Sequence, residues 1–340
     1  MKLIHAADIH LGSKMDSRFP AEIAAKRKEE LRNTFLRMAD YAAANGVAAV
    51  LLAGDVFDSD MPFKKDKDFF YSVVKNHPAV DFLYLRGNHD CGGGYEGEPL
   101  PNLKTFANTW TFYTYGKVVI GGIETDGENA SSLYSTLALD KDACNIVLLH
   151  GQIADNTGKD KVCLKKLRGR NIDYLALGHV HKPQAGRLDE RGEYAYCGCL
   201  EGRGFDEPGQ HGFMLLEIGD TLTRTFVPFA EREIVETDAD ITGKTDAYAA
   251  GVAVRRAVAF ARRHLYRGTR VGALAFATAS IAADVQKYLS NECFYISVKD
   301  RTRRALDIAA YEKDVSLKGE FVRAVYAAGD CTEEEKQQIL

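Results

Sequence analysis

Short apolar runs alternate with longer amphipathic stretches from the start of the chain. Residues 2–7 read as a strand, and 21–46 as a long helix rich in Ala, Lys, Arg and Glu that closes on Asn45-Gly46. Val47–Ala53 reads as a buried strand. A second helix over 64–77 ends before Pro78, the strand Asp81–Leu85 follows, and a glycine-rich loop occupies 87–97. Further strands are predicted over 118–123, 145–149, 172–177, 194–198, 211–218 and 222–227, with helical segments at 131–141 and 160–169. The pattern predicts an α/β fold: a layered β-sandwich core with a mixed sheet and flanking helices.

Around 230–245 the pattern changes to a charged stretch, Glu231-Arg232-Glu233 through Asp238-Ala239-Asp240, ending at Gly243. It divides the chain into a domain over 1–230, a linker over 231–245 and a small α/β domain over 246–340. The second domain is expected to hold a helix at 246–266, a strand at 270–276, a helix at 279–290 and a strand at 293–298. Thr332 and Glu335 form a capping-box pattern about two turns before Leu340, so a truncated second domain is expected.

The 340 residues are 46% apolar and 27% charged, a mix that excludes a disordered or collagen-like chain and can bury a full core. No apolar stretch approaches the roughly 18 to 20 residues of a membrane span, and the N-terminus lacks an export signal, so a cytoplasmic protein is expected. Seven scattered cysteines, without a C-x-x-C pair, read as reduced thiols. Cys197 and Cys199 would share one face of a strand, but two cysteines make a poor zinc site. The net charge of -4 gives no global basic signature, so nucleic-acid binding would need a local patch or metal ions bridging to phosphate.

Five of the nine histidines fall in motifs at predicted strand ends: Asp8-Ile9-His10, Gly87-Asn88-His89-Asp90, His150-Gly151 and Gly178-His179-Val180-His181, with Gly54-Asp55 beside them. Ligands collect at the carboxyl ends of strands in open α/β sheets, so these motifs can converge. Carboxylates mixed with imidazoles and one amide suit divalent manganese, iron or zinc better than calcium. Each motif alone is weak, since Gly-Asp is a common turn and a lone histidine such as His150 is usually a core residue. The ordered set makes turns and core residues a poor explanation. His5, His77, His211 and His264 fit no motif and read as structural or surface residues.

This ordered set resembles the calcineurin-like metallophosphoesterase superfamily, over residues 1 to about 228. Within it, His5-Ala-Ala-Asp8-Ile-His10-Leu-Gly12, Gly54-Asp55-Val-Phe57-Asp58, His150-Gly-Gln152 and the tail from Gly198 to Glu207 leading into Gly212-Phe213 resemble the SbcD-type DNA-repair nucleases. The tail departs from that pattern: it has Gly198-Cys199 where relatives carry Gly-Ser, and Gly202 splits Glu201 from Arg203.

The resemblance implies that Asp8, His10 and His181 hold one metal ion, that Asn88, His150 and His179 hold another, and that Asp55 bridges both. Two Mn2+ ions are implied, with Fe2+ or Zn2+ as alternatives. His89 is left to donate a proton to the departing oxygen, with Asp90 or Asp58 orienting its ring. The implied activity is a two-metal DNA exonuclease on duplex ends and endonuclease on single strands, in double-strand break repair. The implied partners are DNA, an SbcC-like ATPase subunit and a second copy of the chain, docked through 63–74 and 100–106. In the family a small domain caps the DNA groove, the place taken here by 246–340.

Two features bear on the substrate. Arg203 in the tail is an implied DNA contact. Arg255, Arg256, Arg262, Arg263 and Arg267 lie on or near the second domain's first predicted helix, whose apolar stripe would be Val254, Val258, Ala261 and Leu265. They read either as phosphate-backbone contacts or as an ordinary solvated helix face. The alternative function is hydrolysis of a small phosphodiester or phosphomonoester, because the metal ligands are common to the whole superfamily and do not define the substrate. A catalytically silent scaffold ranks last, since all seven ligand positions are filled.

Overall fold

The computed structural model describes residues 1–90, 99–244, 246–258, 261, 264–271, 273–274, 281–300, 303–304, 311, 313–329, 331–332, 336 and 339. The chain forms two units, Met1–Ile234 and Val235–Leu340. The first opens with β1 (Lys2–Ala6), α1 (Ala21–Ala44), β2 (Val47–Ala53), α2 (Lys64–Asn76), β3 (Asp81–Leu85) and β4 (Leu103–Thr105). It continues with β5 (Thr111–Tyr115), β6 (Val118–Gly122), β7 (Cys144–His150), β8 (Gln152–Ile153) and β9 (Lys161–Val162). It closes with β10 (Tyr174–Gly178), β11 (Gln184–Arg187), β12 (Glu193–Tyr196), β13 (Gly212–Ile218) and β14 (Leu222–Pro228).

Two six-stranded sheets result, ordered β14-β13-β1-β2-β3-β4 and β11-β12-β10-β7-β6-β5. Strands β1 to β4 run parallel, as do β6, β7, β10 and β12. The period of two along each strand sorts the core into layers. Leu3, Leu51, Leu83, Ile146, Leu148 and Ala176 pack between the sheets. Ile4, Val50, Leu52 and Phe82 face outward onto Phe35, Met38, Phe70 and Val73 of α1 and α2. Burial on both faces explains why Val47–Ala53 is apolar throughout.

Where the structure departs from the sequence expectation, local reasons are visible. Strands β4, β5 and β11 lie outside the predicted set. They are half-exposed or exposed, and β5 and β11 lie at opposite edges of their sheet, so none carries a buried apolar run. The expected helix at 131–141 is reduced to Leu133–Thr136. That at 160–169 gives way to β9, paired with β8, and the single turn Leu164–Leu167.

The predicted linker holds the strand Ile234–Asp240, which pairs in a three-stranded sheet with Leu265–Val271 and Tyr295–Asp300. Its charges are the solvent-facing half of an alternation, with Glu236, Asp238 and Asp240 exposed and Ile234 and Ala239 buried. The expected helix at 246–266 ends at Ala257, because Val258 is extended and Leu265 already belongs to a strand. The predicted stripe through Val258, Ala261 and Leu265 therefore does not form one helix face. Arg262, Arg263, the loop from 91 and the Thr332–Glu335 cap lie wholly or partly outside the described residues.

Arg27 anchors α1 to the tail that follows β12. Its guanidinium is fully buried and donates to Glu201 Oε1 (2.7 Å), Glu30 Oε2 (2.5 Å) and the Gly202 carbonyl (2.6 Å). Glu201 also accepts from Thr34 Oγ1 and from the backbone N–H groups of Glu231 and Arg232. Arg27→Ala would leave Glu201 buried without its cation, and about 3–5 kcal/mol of stability should be lost in urea unfolding. A loss below about 1 kcal/mol would mean that Glu201 is satisfied without Arg27.

Candidate metal centre

The motif residues stand where parallel strands run out. Asp8 and His10 follow β1, Asp55 follows β2, Asn88 and His89 follow β3, His150 ends β7, and His179 and His181 follow β10. The chain must turn sharply at each end, and Asp8 (φ 51°), His10 (φ 53°), Asp55 (φ 53°) and His179 (φ 100°) adopt left-handed backbone. Such residues are uncommon outside glycine and each costs roughly 1–3 kcal/mol, a strain that clusters at functional sites. The flanking glycines are steric necessities. A Cβ on Gly54 would lie 2.1 Å from His150 Nδ1, and one on Gly87 would lie 2.2 Å from Asp55 Oδ1.

The side chains converge. His10 Nε2 lies 3.2 Å from His181 Nε2, and His150 Nε2 and His179 Nδ1 lie 2.9 and 3.0 Å from Asn88 Oδ1. Asp55 Oδ2 stands between the two sets, 3.9 Å from His10 Nε2 and 3.5 Å from His150 Nε2. Asp8, His10 and His181 form one compact group of donor atoms, and Asp8, Asp55 and His150 form another. Asp8 thus touches both sets, a closeness that the sequence did not suggest.

Outer partners fix the rings. His150 Nδ1 faces the Ala53 carbonyl (2.9 Å), His10 Nδ1 faces Asp58 Oδ1 (2.9 Å) and His181 Nδ1 faces Glu207 Oε1 (2.8 Å). The Ala53 carbonyl at Nδ1 of His150 favours a proton there and leaves its Nε2 lone pair toward the centre, the usual tautomer control of a metal-ligating histidine, whereas Nδ1 of His181 meets the Arg203 guanidinium (3.0 Å) as well as Glu207.

Charge supports the same reading. Asp8 and Asp55 are buried, and neither makes an ion pair with a lysine or arginine among the described residues. Burial pushes the Asp8 carboxyl up to about 6. Burial opposes ionisation of Asp55 too, but the hydrogen bond and charge of His150 and the charge of His10 outweigh it and hold Asp55 well below the carboxylate range. His150 is correspondingly raised to about 9, its burial overcome by Asp55. Buried carboxylates are normally paired or bound to metal. The imidazole, carboxylate and amide donors here fit divalent transition-metal ions.

Other expected residues take different places. His89 is exposed, its backbone N–H donates to Asp55 Oδ1 (2.9 Å), and its ring lies edge-on to His10 at 5.1 Å. Asp58 faces His10 Nδ1 (2.9 Å) and accepts from Arg203 (3.0 Å), so the ring it meets at ion-pair distance is that of His10 rather than His89. Asp90 does not orient His89 either. Its carboxylate accepts from the backbone N–H groups of Val56, Phe57 and Gly87 and from Tyr84 Oη, tying the loops after β2 and β3 together.

Arg203 is buried, donating to Glu207 Oε1 (2.8 Å) and Asp58 Oδ1 (3.0 Å). It braces the partners of His181 and His10 and presents no surface charge to DNA. Arg255 and Arg256 sit on the helix Ala247–Ala257, where Arg255 pairs with Glu292, whereas Arg267 lies on a strand and pairs with Glu236. Glu207 is the residue that sequence reasoning left without a role. It lies 26 residues after His181 in an irregular loop, where no periodicity marks it.

The family model for the calcineurin-like phosphoesterases matches residues 1–183. The uncharacterized metallophosphoesterase YhaO of Bacillus subtilis is 30% identical over 240 residues, 64% of this chain and 57% of that protein. The DNA double-strand break repair protein Mre11 of Saccharolobus solfataricus is 27% identical over 196 residues, 53% of this chain and 49% of that protein. The chain spans about half the length of these curated relatives. Among solved structures, TT1561 of Thermus thermophilus aligns with a TM-score of 0.41 at 13% identity, covering 66% of this chain and 98% of that one.

Two substitutions test the centre. Asp55→Asn should remove a buried anion from the group and lower bound-metal content, measured by elemental analysis after dialysis against manganese; undiminished metal content would rule out Asp55 as a ligand. Glu207→Gln should weaken manganese binding about 10- to 100-fold in calorimetric titration through His181 alone. Unaltered affinity would show that His181 needs no anionic partner.

Proposed function

The chain belongs to the calcineurin-like phosphoesterases, and from that premise we propose that it is a manganese-dependent phosphodiesterase acting on DNA, an exonuclease on duplex ends and an endonuclease on single strands. The observation that carries the reading is the convergence of Asp8, His10, Asp55, Asn88, His150, His179 and His181 on one point at the strand ends. Partial similarity to archaeal Mre11 proteins supports the choice of DNA as substrate.

When bound, two divalent ions supply Lewis-acid polarisation of the phosphoryl group and lower the pKa of water. Asp8, His10 and His181 would hold one ion and Asn88, His150 and His179 the other, with Asp55 shared. Fe2+ or Zn2+ would suit the same donors. His89, exposed beside His10 and Asp58, is the group left to give a proton to the departing sugar oxygen or to stabilise charge on the phosphate. In this reading the protein is an SbcD-like subunit that works with an SbcC-like ATPase, and a homodimer would dock through 63–74 and 100–106. Met61 and Phe63, which lead into α2, are largely exposed apolar residues.

A second reading, hydrolysis of a small phosphodiester or phosphomonoester, is favoured by one observation. Of the arginines expected to meet DNA, Arg203 is buried and Arg255 and Arg267 are paired with glutamates. No helix among the described residues is long and apolar enough to cross a membrane.

Cleavage of linear duplex, closed circular duplex, a single-stranded oligonucleotide and a chromogenic phosphodiester, each with manganese or chelator, separates the readings. Manganese-dependent shortening of linear DNA with the closed circle spared is expected, with DNA affinity falling at least about ten-fold from low to moderate salt. Hydrolysis of the chromogenic ester alone would move the function to the small-substrate reading. His89→Asn should lower phosphodiester cleavage at least about 100-fold while metal content stays near that of the unaltered protein. Loss of both metals in that variant would make His89 a ligand or a structural residue.

A further inference from the structure

A cleft of about 400 Å3 opens beside the metal centre, entirely within the first unit. His179 and His181 form its side toward the centre, and Val180, Lys182, Gln152, Pro208 and His211 line the rest together with acidic residues of the loop after β12. The metal-centre assignment uses neither Gln152 nor Lys182, yet both are fixed beside it by chain connectivity. Gln152 follows His150 by two residues on β8, where its backbone N–H is held by the Asp160 carbonyl at 2.8 Å, and its side chain is exposed. Lys182 directly follows His181 and is also exposed.

The lining constrains the ligand. Clefts of roughly 300–1,000 Å3 take organic ligands, and in this one Val180 and Pro208 are the apolar members of a mainly polar lining. The acidic members are already engaged, Asp206 with Arg18 at 3.3 Å and Glu207 with Arg203 and His181, so Lys182 supplies the positive charge. One ammonium is too little for a pocket dedicated to a multiply charged anion. The interleaved polar groups break the continuous apolar surface that an acyl chain needs. Val180 and Pro208 offer apolar contact, and the Gln152 amide carries both a donor and an acceptor, the pairing that reads the edge of a nucleobase.

We propose that this cleft is a nucleoside subsite, seating the base next to the phosphate held at the metal centre. The Gln152 amide meets the base edge, and Lys182 contacts the adjoining phosphate or sugar. The proposal rests on the phosphodiesterase reading above and adds to it a preference for nucleotide-bearing esters.

Two chromogenic esters with the same leaving group test it: the p-nitrophenyl ester of thymidine monophosphate, which carries a nucleoside, and bis(p-nitrophenyl) phosphate, which does not. With manganese, Gln152→Ala and Lys182→Ala should each lower kcat/KM for the nucleoside ester about ten-fold more than for the aryl ester, mainly through KM. Both side chains are exposed, so equal melting temperatures are expected. Equal losses on the two esters, or no loss on the nucleoside ester, would overturn the subsite while leaving the phosphodiesterase reading intact. Absence of manganese-dependent turnover of both esters by the unaltered protein would overturn both.

Discussion

Two carboxylates, Asp8 and Asp55, are buried at the ends of adjacent parallel strands with no arginine or lysine in ion-pairing reach among the described residues. Leaving an ionised group in such a place costs several kcal/mol unless a positive charge compensates it. The backbone adds strain, since both residues are left-handed. The protein's own response to this burden is a displaced proton equilibrium, with Asp8 pushed up to about 6 and His150 raised to about 9. Bound divalent cations would remove the burden at its source. The glycines before Asp55, before Asn88 and before His179 let these groups approach so closely.

A second ring of contacts turns that concentration of donors into a defined geometry. Ala53, Asp58 and Glu207 each present an oxygen to the Nδ1 of one histidine, which gives His150, His10 and His181 one sense of orientation. Arg203 ties Asp58 and Glu207 together from behind, and two residues earlier Glu201 is held by Arg27 and Thr34 of α1. Helix α1 therefore reaches the metal centre through the loop after β12. The tail's departure from Glu-Arg adjacency has a structural sense here: Glu201 looks back toward α1 while Arg203 looks toward the site.

Chemistry at phosphorus and choice of substrate are separate questions in this fold. The first would be set by the metal-competent side chains on the strand ends. The second depends on other surfaces, and of the arginines expected to meet DNA, Arg203 is buried and Arg255 and Arg267 pair with glutamates. In the second unit, Arg267 and Glu236 join neighbouring strands and Arg255 joins the helix to Glu292. Residues beside the ligands in sequence, Gln152 and Lys182, gain importance for the same reason: they reach the site without help from another unit.

The sequence by itself determined the parallel strands β1, β2 and β3, the helices α1 and α2, and the motifs at the strand ends, because burial on two faces and helical periodicity write themselves into contiguous residues. Val47–Ala53 and Asp81–Leu85 were legible to the residue. Edge strands such as β11, whose polar residues face solvent, carried no such signal, and the strand Ile234–Asp240 hid its alternation within a run of charge. The same limit applies at the site. Motif order placed the metal-competent side chains, but the partners of their rings come from residues distant in sequence, and only the tertiary structure brought Glu207 to His181, Asp58 to His10 and Asp90 to the backbone of Val56 and Phe57. It also buried Arg203, since the exposure of a charge depends on what packs against it, and that is a property of the fold rather than of the neighbouring residues.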